Sequence, residues 1–461
     1  MRLFFRLEKF RKIRSKNNFS SSTSPSSTFF HIRTAHETAS SSISISSLHD
    51  ALTNIPVVDL SRLVKSPAQT FLRVLLPFAT DHSLRQQFVN KWGMLRVGKL
   101  LEELDAFAGN IAYKFIEDEN GIVAPIAIVT ASFDRLDLLQ RPLSAHVDLE
   151  LRGMVTYAGT SSMNIDIDLV RTDTGTPVIQ AASTFVARDR KTNKAVTVPK
   201  LRPTTENESR LYEAGKVATE SRKRARQASL LRQPPTPTEL ALVHSLVVEY
   251  QGFMREGAHG SGLQLSKNNA VFPEETQLST TILTMPQDKN LHGKVFGGFL
   301  MRQAFEIAFA TGWKLTGDLP RFLAMDDVSF LAPVETGALL TFDARCTYAQ
   351  GPPSNVYSVS VSAKMSVPDR LSAALHHGAV DTKIMQQQSQ LQNLPPSAQQ
   401  QLTNTFNFVF YGDEANSVPR VYPKAYTDAM AYIEAHRRTL LSEQLASGRK
   451  EGTTRFPLVD Q

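Results

Sequence analysis

A chain of 461 residues exceeds what one ordinary core holds, so two or more domains are expected. No run of about 18 apolar residues occurs, which argues against a transmembrane helix, and a single cysteine, Cys346, leaves no internal disulfide or thiolate zinc site. The net charge of +7 sits in residues 1–46, where eight Lys/Arg against two acids give +6 and leave 7 − 6 = +1 for the rest; a nucleic-acid partner is therefore not expected.

Residues 1–46 are Arg-rich at first and Ser-rich afterwards, with Phe4, Phe5, Leu7 and Phe10 set among the basic residues. That is the composition of a mitochondrial transit peptide. An apolar patch, Val74-Leu75-Leu76-Pro77, then reads as an edge strand.

A first unit is expected over 71–197. Leu100, Leu101, Leu104, Phe107, Ala108 and Ile111 recur at helical spacing, which predicts a helix from Gly98 to about Phe115. Strand signals follow at 124–134, 145–158, 162–171 and 177–189, with Met163, Ile165, Ile167 and Leu169 in strict alternation. Residues 198–273 change character and read as a helical connector. Its first helix carries the basic cluster Arg222, Lys223, Arg224 and Arg226, read as a solvated face; Thr236-Pro237-Thr238-Glu239 has the form of a second helix start.

A second unit is expected over 274–411. A strand at 277–284 precedes Asn290-Leu291-His292-Gly293-Lys294-Val295-Phe296-Gly297-Gly298, which runs into a helix to about Trp313. Strands are expected at 321–330, 338–349, 355–365, 378–385 and 405–411, with a Gln-rich, solvent-facing insertion at 386–401. The extension 412–461 is expected to hold a helix from about Pro423 to Gly448, with Tyr422, Tyr426 and Tyr432 packing inward. The two units match in spacing. Asn90…Gly98 repeats as Asn290…Gly298 at an offset of 200, Phe133-Asp134 as Asp326-Asp327 at 193, and Thr156-Tyr157-Ala158 as Thr347-Tyr348-Ala349 at 191. A helix followed by an antiparallel run, twice, is an α+β pattern.

Val295-Phe296-Gly297-Gly298-Phe299-Leu300-Met301-Arg302 after Asn290 resembles the acyl-CoA thioesterases of double hot-dog type. Ile128-Val129-Thr130-Ala131, Thr184-Phe185-Val186-Ala187-Arg188-Asp189 and Val421-Tyr422-Pro423-Lys424 resemble their mitochondrial branch, the acyl-coenzyme A thioesterase 9 family. The resemblance implies two hot-dog domains in tandem, each a long helix wrapped by an antiparallel sheet, and hydrolysis of fatty acyl-CoA. It also implies an Asp on one helix facing an Asn loop of the other unit. Seven residues after Gly98 stands Asp105, whereas seven after Gly298 stands Phe305. One complete site, Asp105 with Asn290, is thus expected, and the other, Asn90 with Phe305, lacks a base. Glu306, about 100° further round the helix, is a poor substitute.

Asp105 is expected as general base, Asn290 as the group positioning water or carbonyl, and the Gly297 and Gly298 N–H groups as oxyanion donors. Lys294, Arg302, Arg96 and Lys99 are candidates for the CoA phosphates. No metal or other cofactor is implied, and the mitochondrial matrix is the expected compartment. Oligomeric state stays open, since hot-dog units often associate into homo-oligomers. Rival readings are a non-catalytic acyl-CoA-binding protein and a hydroxyacyl-thioester dehydratase using His292.

Overall fold

The structure is a computed structural model that describes residues 60–118, 126–139, 143–190, 192–227, 229–230, 233–257, 269–366, 400–413, 417–448 and 455–456. The expected transit peptide, the strand at 378–385 and nearly all of the Gln-rich insertion lie outside the described residues. Among the described residues no helix is long and apolar enough to cross a membrane.

Among the described residues ten strands form one sheet: β1 (Leu72–Leu76), β2 (Ile126–Leu138), β3 (Leu149–Ala158), β4 (Ser162–Arg171), β5 (Pro177–Asp189), β6 (Leu278–Leu283), β7 (Arg321–Phe330), β8 (Leu339–Ala349), β9 (Val356–Ser366) and β10 (Gln401–Tyr411). Their spatial order is β1-β3-β4-β5-β2-β7-β10-β9-β8-β6. All neighbours are antiparallel, and the second half repeats the order of the first. The halves join at β2 and β7, which pair only from Ser132↔Ser329 to Asp137↔Ala324. The stretch 126–131 of β2 is therefore free of β7 along that edge.

Each half wraps one long helix, α1 (Val97–Ile116) or, in the second half, a helix at Gly297–Thr316. Both are buried over most of their surface, because one side meets the sheet and the other meets its counterpart. The connector forms α2 (Glu206–Gln227) and α3 (Pro237–Gly257); the second central helix is accordingly α4, and α5 is Tyr426–Gly448. Thr236 and Glu239 make the expected cap: Glu239 N donates to Thr236 Oγ1 at 3.4 Å and Thr236 N to the Glu239 carboxylate at 2.8 Å.

The connector is no free linker. Gly215 of α2 sits so close to β3 that a Cβ there would lie 2.9 Å from the Tyr157 Cβ. Arg222, from the basic cluster, turns inward to Asp134 and Thr184 of the sheet rather than lying on a solvated face. Arg437 of α5 pairs with Glu239 of α3 at 2.5 Å, and a second small core gathers Leu246, Phe272, Tyr348, Tyr422 and Tyr432. Tyr422 and Tyr432 pack as expected; Tyr426 faces solvent instead, on the outer side of the first turn of α5.

Three further boundaries shift. β2 runs on to Leu138, because Arg135 and Asp137 pair with each other on the outer face while Leu136 and Leu138 stay inside. β3 begins at Leu149 and not at 145, and β10 begins at Gln401, within the expected insertion. Bulges follow Thr130 in β2 and Phe322 in β7, so these strands correspond at 322 − 130 = 192, one less than the spacing read from sequence.

Gly153 of β3 sets the distance between α1 and its sheet. A Cβ there would stand 2.8 Å from the Asp166 carbonyl oxygen and 2.9 Å from Ile111 of α1. A carbonyl in a paired strand cannot swing aside. Gly153→Ala is expected to lower stability by about 1–3 kcal/mol, read as a fall in the urea midpoint; an unchanged midpoint would show that the spacing is set elsewhere.

Candidate active site

The two central helices cross at their first turns. A Cβ on Gly298 would lie 2.9 Å from the Glu102 carbonyl oxygen, and one on Gly98 would lie 3.3 Å from Arg302 Cγ. Only glycine allows backbones this near. Positions 102 and 302 correspond at the offset of 200, and here they carry opposite charges: Arg302 Nη1 stands 3.4 Å from the Glu102 carboxylate.

This crossing brings the start of α4 onto Asp105 of α1. Asp105 is 1% exposed. Its Oδ1 accepts from the Thr130 hydroxyl at 3.0 Å, from the stretch of β2 that has no β7 partner. Its Oδ2 has no hydrogen-bond partner, and a Cβ on Gly297 would sit 2.9 Å from it. Gly297 thus keeps the space beside the carboxylate clear, while Gly298 allows the helices to approach. The N–H groups of this first turn have no acceptor within the helix. Burial pushes the Asp105 carboxyl up to about 6, against the weaker opposing pulls of the Thr130 hydroxyl and the Gly298 N–H.

The Asn290 loop is tightly specified. Asn290 Oδ1 accepts from His292 N at 2.8 Å and Lys294 N at 3.2 Å, and Gly293 supplies the positive φ of 78°. Asn290 Nδ2 makes no hydrogen bond to the described chain, and none joins Asn290 directly to Asp105. The loop lies against the first half. His292 Nε2 is 2.9 Å from the Tyr113 hydroxyl of α1, and both meet the Ile128 backbone on the open edge of β2. Burial, with Arg190 nearby, holds His292 below its ordinary pKa.

No family model matches the chain. Among curated proteins, it is 35% identical over 320 residues to acyl-coenzyme A thioesterase 4, mitochondrial, of Humulus lupulus, covering 68% of this chain and 59% of that protein. It is 34% identical over 319 residues to acyl-coenzyme A thioesterase 2, chloroplastic, of the same plant, covering 68% and 71%. The chain belongs to the acyl-CoA thioesterase family. It is also 28% identical over 371 residues to acyl-coenzyme A thioesterase 9, mitochondrial, of Mus musculus, covering 80% of this chain and 76% of that one.

In this chain the second potential site keeps the frame but has no carboxylate at the position of Asp105. The Asn90 loop repeats the Asn290 loop, with Asn90 Oδ1 accepting from Trp92 N and Met94 N at 3.0 Å and Gly93 at φ 77°. Phe305 and Phe322 replace Asp105 and Thr130, with ring centroids 5.3 Å apart. Trp92 and Trp313 replace His292 and Tyr113, 5.4 Å apart. Glu306 points outward to Arg96 at 2.7 Å, away from the Phe305 cluster.

Each of the four candidate phosphate cations has a carboxylate beside it. Arg96 meets Glu306, Lys99 meets Glu102 at 2.6 Å, Arg302 meets Glu102, and Lys294 meets Glu335. The Arg96 and Arg302 pairs span the helix crossing, the Lys99 pair lies within α1, and Lys294 sits on the Asn290 loop. Among the described residues there is no group of three or more His, Cys, Asp or Glu able to hold a metal ion. Sequence reasoning assigned no role to Thr130. Its signal is a hydroxyl on the same strand parity as the buried Ile126 and Ile128.

The raised Asp105 pKa makes a stability prediction. The fold favours the protonated carboxyl, so this contribution is fully present below about pH 4 and is lost as pH rises through about 6. Asp105→Asn is therefore expected to be more stable than wild type at pH 8 by about 1–3 kcal/mol, the gap closing toward pH 4. Urea denaturation across that range measures it.

Proposed function

We propose that this protein hydrolyses acyl-CoA thioesters to free acid and CoA at the single site built around Asp105. The observation that carries the reading is a buried carboxylate with one oxygen held by Thr130 and the other facing the cleared space at Gly297. Family membership supplies the substrate class.

Asp105 acts as general base. Above pH 6 its carboxylate is ionised and takes a proton from a water whose oxygen attacks the thioester carbonyl carbon. The Gly297 and Gly298 N–H groups, at the positive end of the α4 dipole, stabilise the developing oxyanion. Asn290, through its free Nδ2, orients the carbonyl or the water. The carbon–sulfur bond then breaks, and the proton held by Asp105 passes to the CoA sulfur. Thr130 holds the carboxylate in place. Lys294, on the loop beside this site, is our candidate for the CoA phosphates. The composition of residues 1–46, with the mitochondrial names of two relatives, supports action in mitochondria, in the matrix.

The test is CoA release from an acyl-CoA series. Wild-type kcat/KM is expected to rise with pH through about 6 and then level off. Asp105→Ala is expected to lose about 10²–10⁴-fold in kcat, Asn290→Ala about 10–10³-fold, and Thr130→Val less than either. Near wild-type activity in Asp105→Ala would sink the assignment.

A further inference from the structure

We infer that the acyl chain this enzyme accepts carries an oxygen function, recognised by the side-chain amide of Asn404 in the interior of the second half. This inference rests on the Asp105 thioesterase reading and adds a substrate class to it.

Asn404 lies on β10 and is 0% exposed. Both its Oδ1 and its Nδ2 lack any hydrogen-bond partner. It shares the strand parity of Phe406, Phe408 and Phe410, of which the last two pack on Phe305 of α4, so it faces the core and not solvent. An amide has two donors and two acceptor lone pairs. Native structures rarely leave all of them unmet, and such an exception asks for a ligand or water that completes it.

The first half shows what the position holds when no polar group is needed. The pair Val359↔Phe408 corresponds to Ile165↔Ser183, at 359 − 165 = 194 and 408 − 183 = 225. By the same offsets Ala363↔Asn404 corresponds to Leu169↔Ile179, and Phe330↔Asn404 to Leu138↔Ile179. Three aliphatic side chains close the core of the first half here. In the second half the same positions carry an amide, a methyl group and an aromatic ring. β10 also bulges at Thr403, between the partners of Ala363 and Lys364, a distortion common beside functional sites.

This position adjoins the reaction site. A Cβ on Gly297 would lie 2.9 Å from Asp105 Oδ2 and 3.2 Å from the Phe330 ring, and the Phe330 backbone is directly opposite Asn404. Phe330 thus has its ring beside Gly297 and its backbone paired with that of Asn404. An acyl chain that passes this ring from the thioester carbon enters the layer of Ala363 and Asn404. A plain methylene chain would seal the amide away from water with nothing to bond. A hydroxyl or oxo group at that depth would satisfy it. Sites built to hydrogen-bond a substrate group discriminate strongly against analogues that lack it, because the protein's own polar group is then left unpaired.

The experiment uses the full chain. It measures kcat/KM for straight-chain saturated acyl-CoAs and for the same lengths bearing a hydroxyl or oxo group at successive carbons from C3 outward. Wild type is expected to favour one oxygenated position by at least tenfold over the unsubstituted chain. Asn404→Leu is expected to abolish that preference and to raise kcat/KM for the unsubstituted chain. The wild-type series needs no variant, so it decides the matter even if Asn404→Leu does not fold. Hydrolysis of every chain without an oxygen preference would overturn this inference and leave the thioesterase reading intact, with water alone completing the amide. A preference that persists in Asn404→Leu would overturn it as well. Absence of hydrolysis on any acyl-CoA would overturn the thioesterase reading and this inference with it.

Discussion

The crossing of the two central helices is the contact on which the rest depends. Gly298 rests on the α1 backbone at Glu102, and Gly98 rests on α4 at Arg302. A methyl group on Gly298 would meet backbone atoms and force the helices apart. The first turn of α4 would then leave Asp105, and the carboxylate would lose the wall that keeps water from solvating it freely. Its raised pKa, the cleared space at Gly297 and the reach of the Gly298 N–H to the carboxylate all follow from that one approach.

The same crossing explains why the sheet is continuous yet leaves a gap. β2 and β7 pair over only part of their length. The end of β2 that β7 leaves open offers the Thr130 hydroxyl to Asp105 and its Ile128 backbone to the Asn290 loop. Pairing along the full length would leave no room there for the loop. The proposed site thus occupies a place where the two halves meet without fully joining.

Much of this was legible in the sequence, for identifiable reasons. β4, β5 and β7 are bounded as read, because period-2 alternation ends in turn residues. The two central helices follow from helical spacing and the glycines at their starts. The uneven distribution of Asp105 and Phe305 needs only counting from matched glycines. What was hidden depends on tertiary placement. Arg135 and Asp137 interrupt the apolar run and conceal the end of β2, since two charges that neutralise each other on an outer face resemble a turn. Thr130 gains meaning only when α1 is laid across it, and Arg222 only when α2 is packed on the sheet. Asn404 sits among phenylalanines in a strand and stands out only once its lack of partners is known.

The two loop-and-helix frames are nearly identical, yet one carries Asp105, Thr130, His292 and Tyr113 and the other Phe305, Phe322, Trp92 and Trp313. Two identical subunits related by a rotation axis cannot differ in this way, because any substitution appears in both sites at once. Joining the halves in one polypeptide lifts that constraint. One site is free to hold a buried carboxylate that weighs against stability, while its counterpart is free to become aromatic core. Symmetry broken by covalent linkage lets a single molecule keep a costly buried carboxylate in one half and structural support in the other.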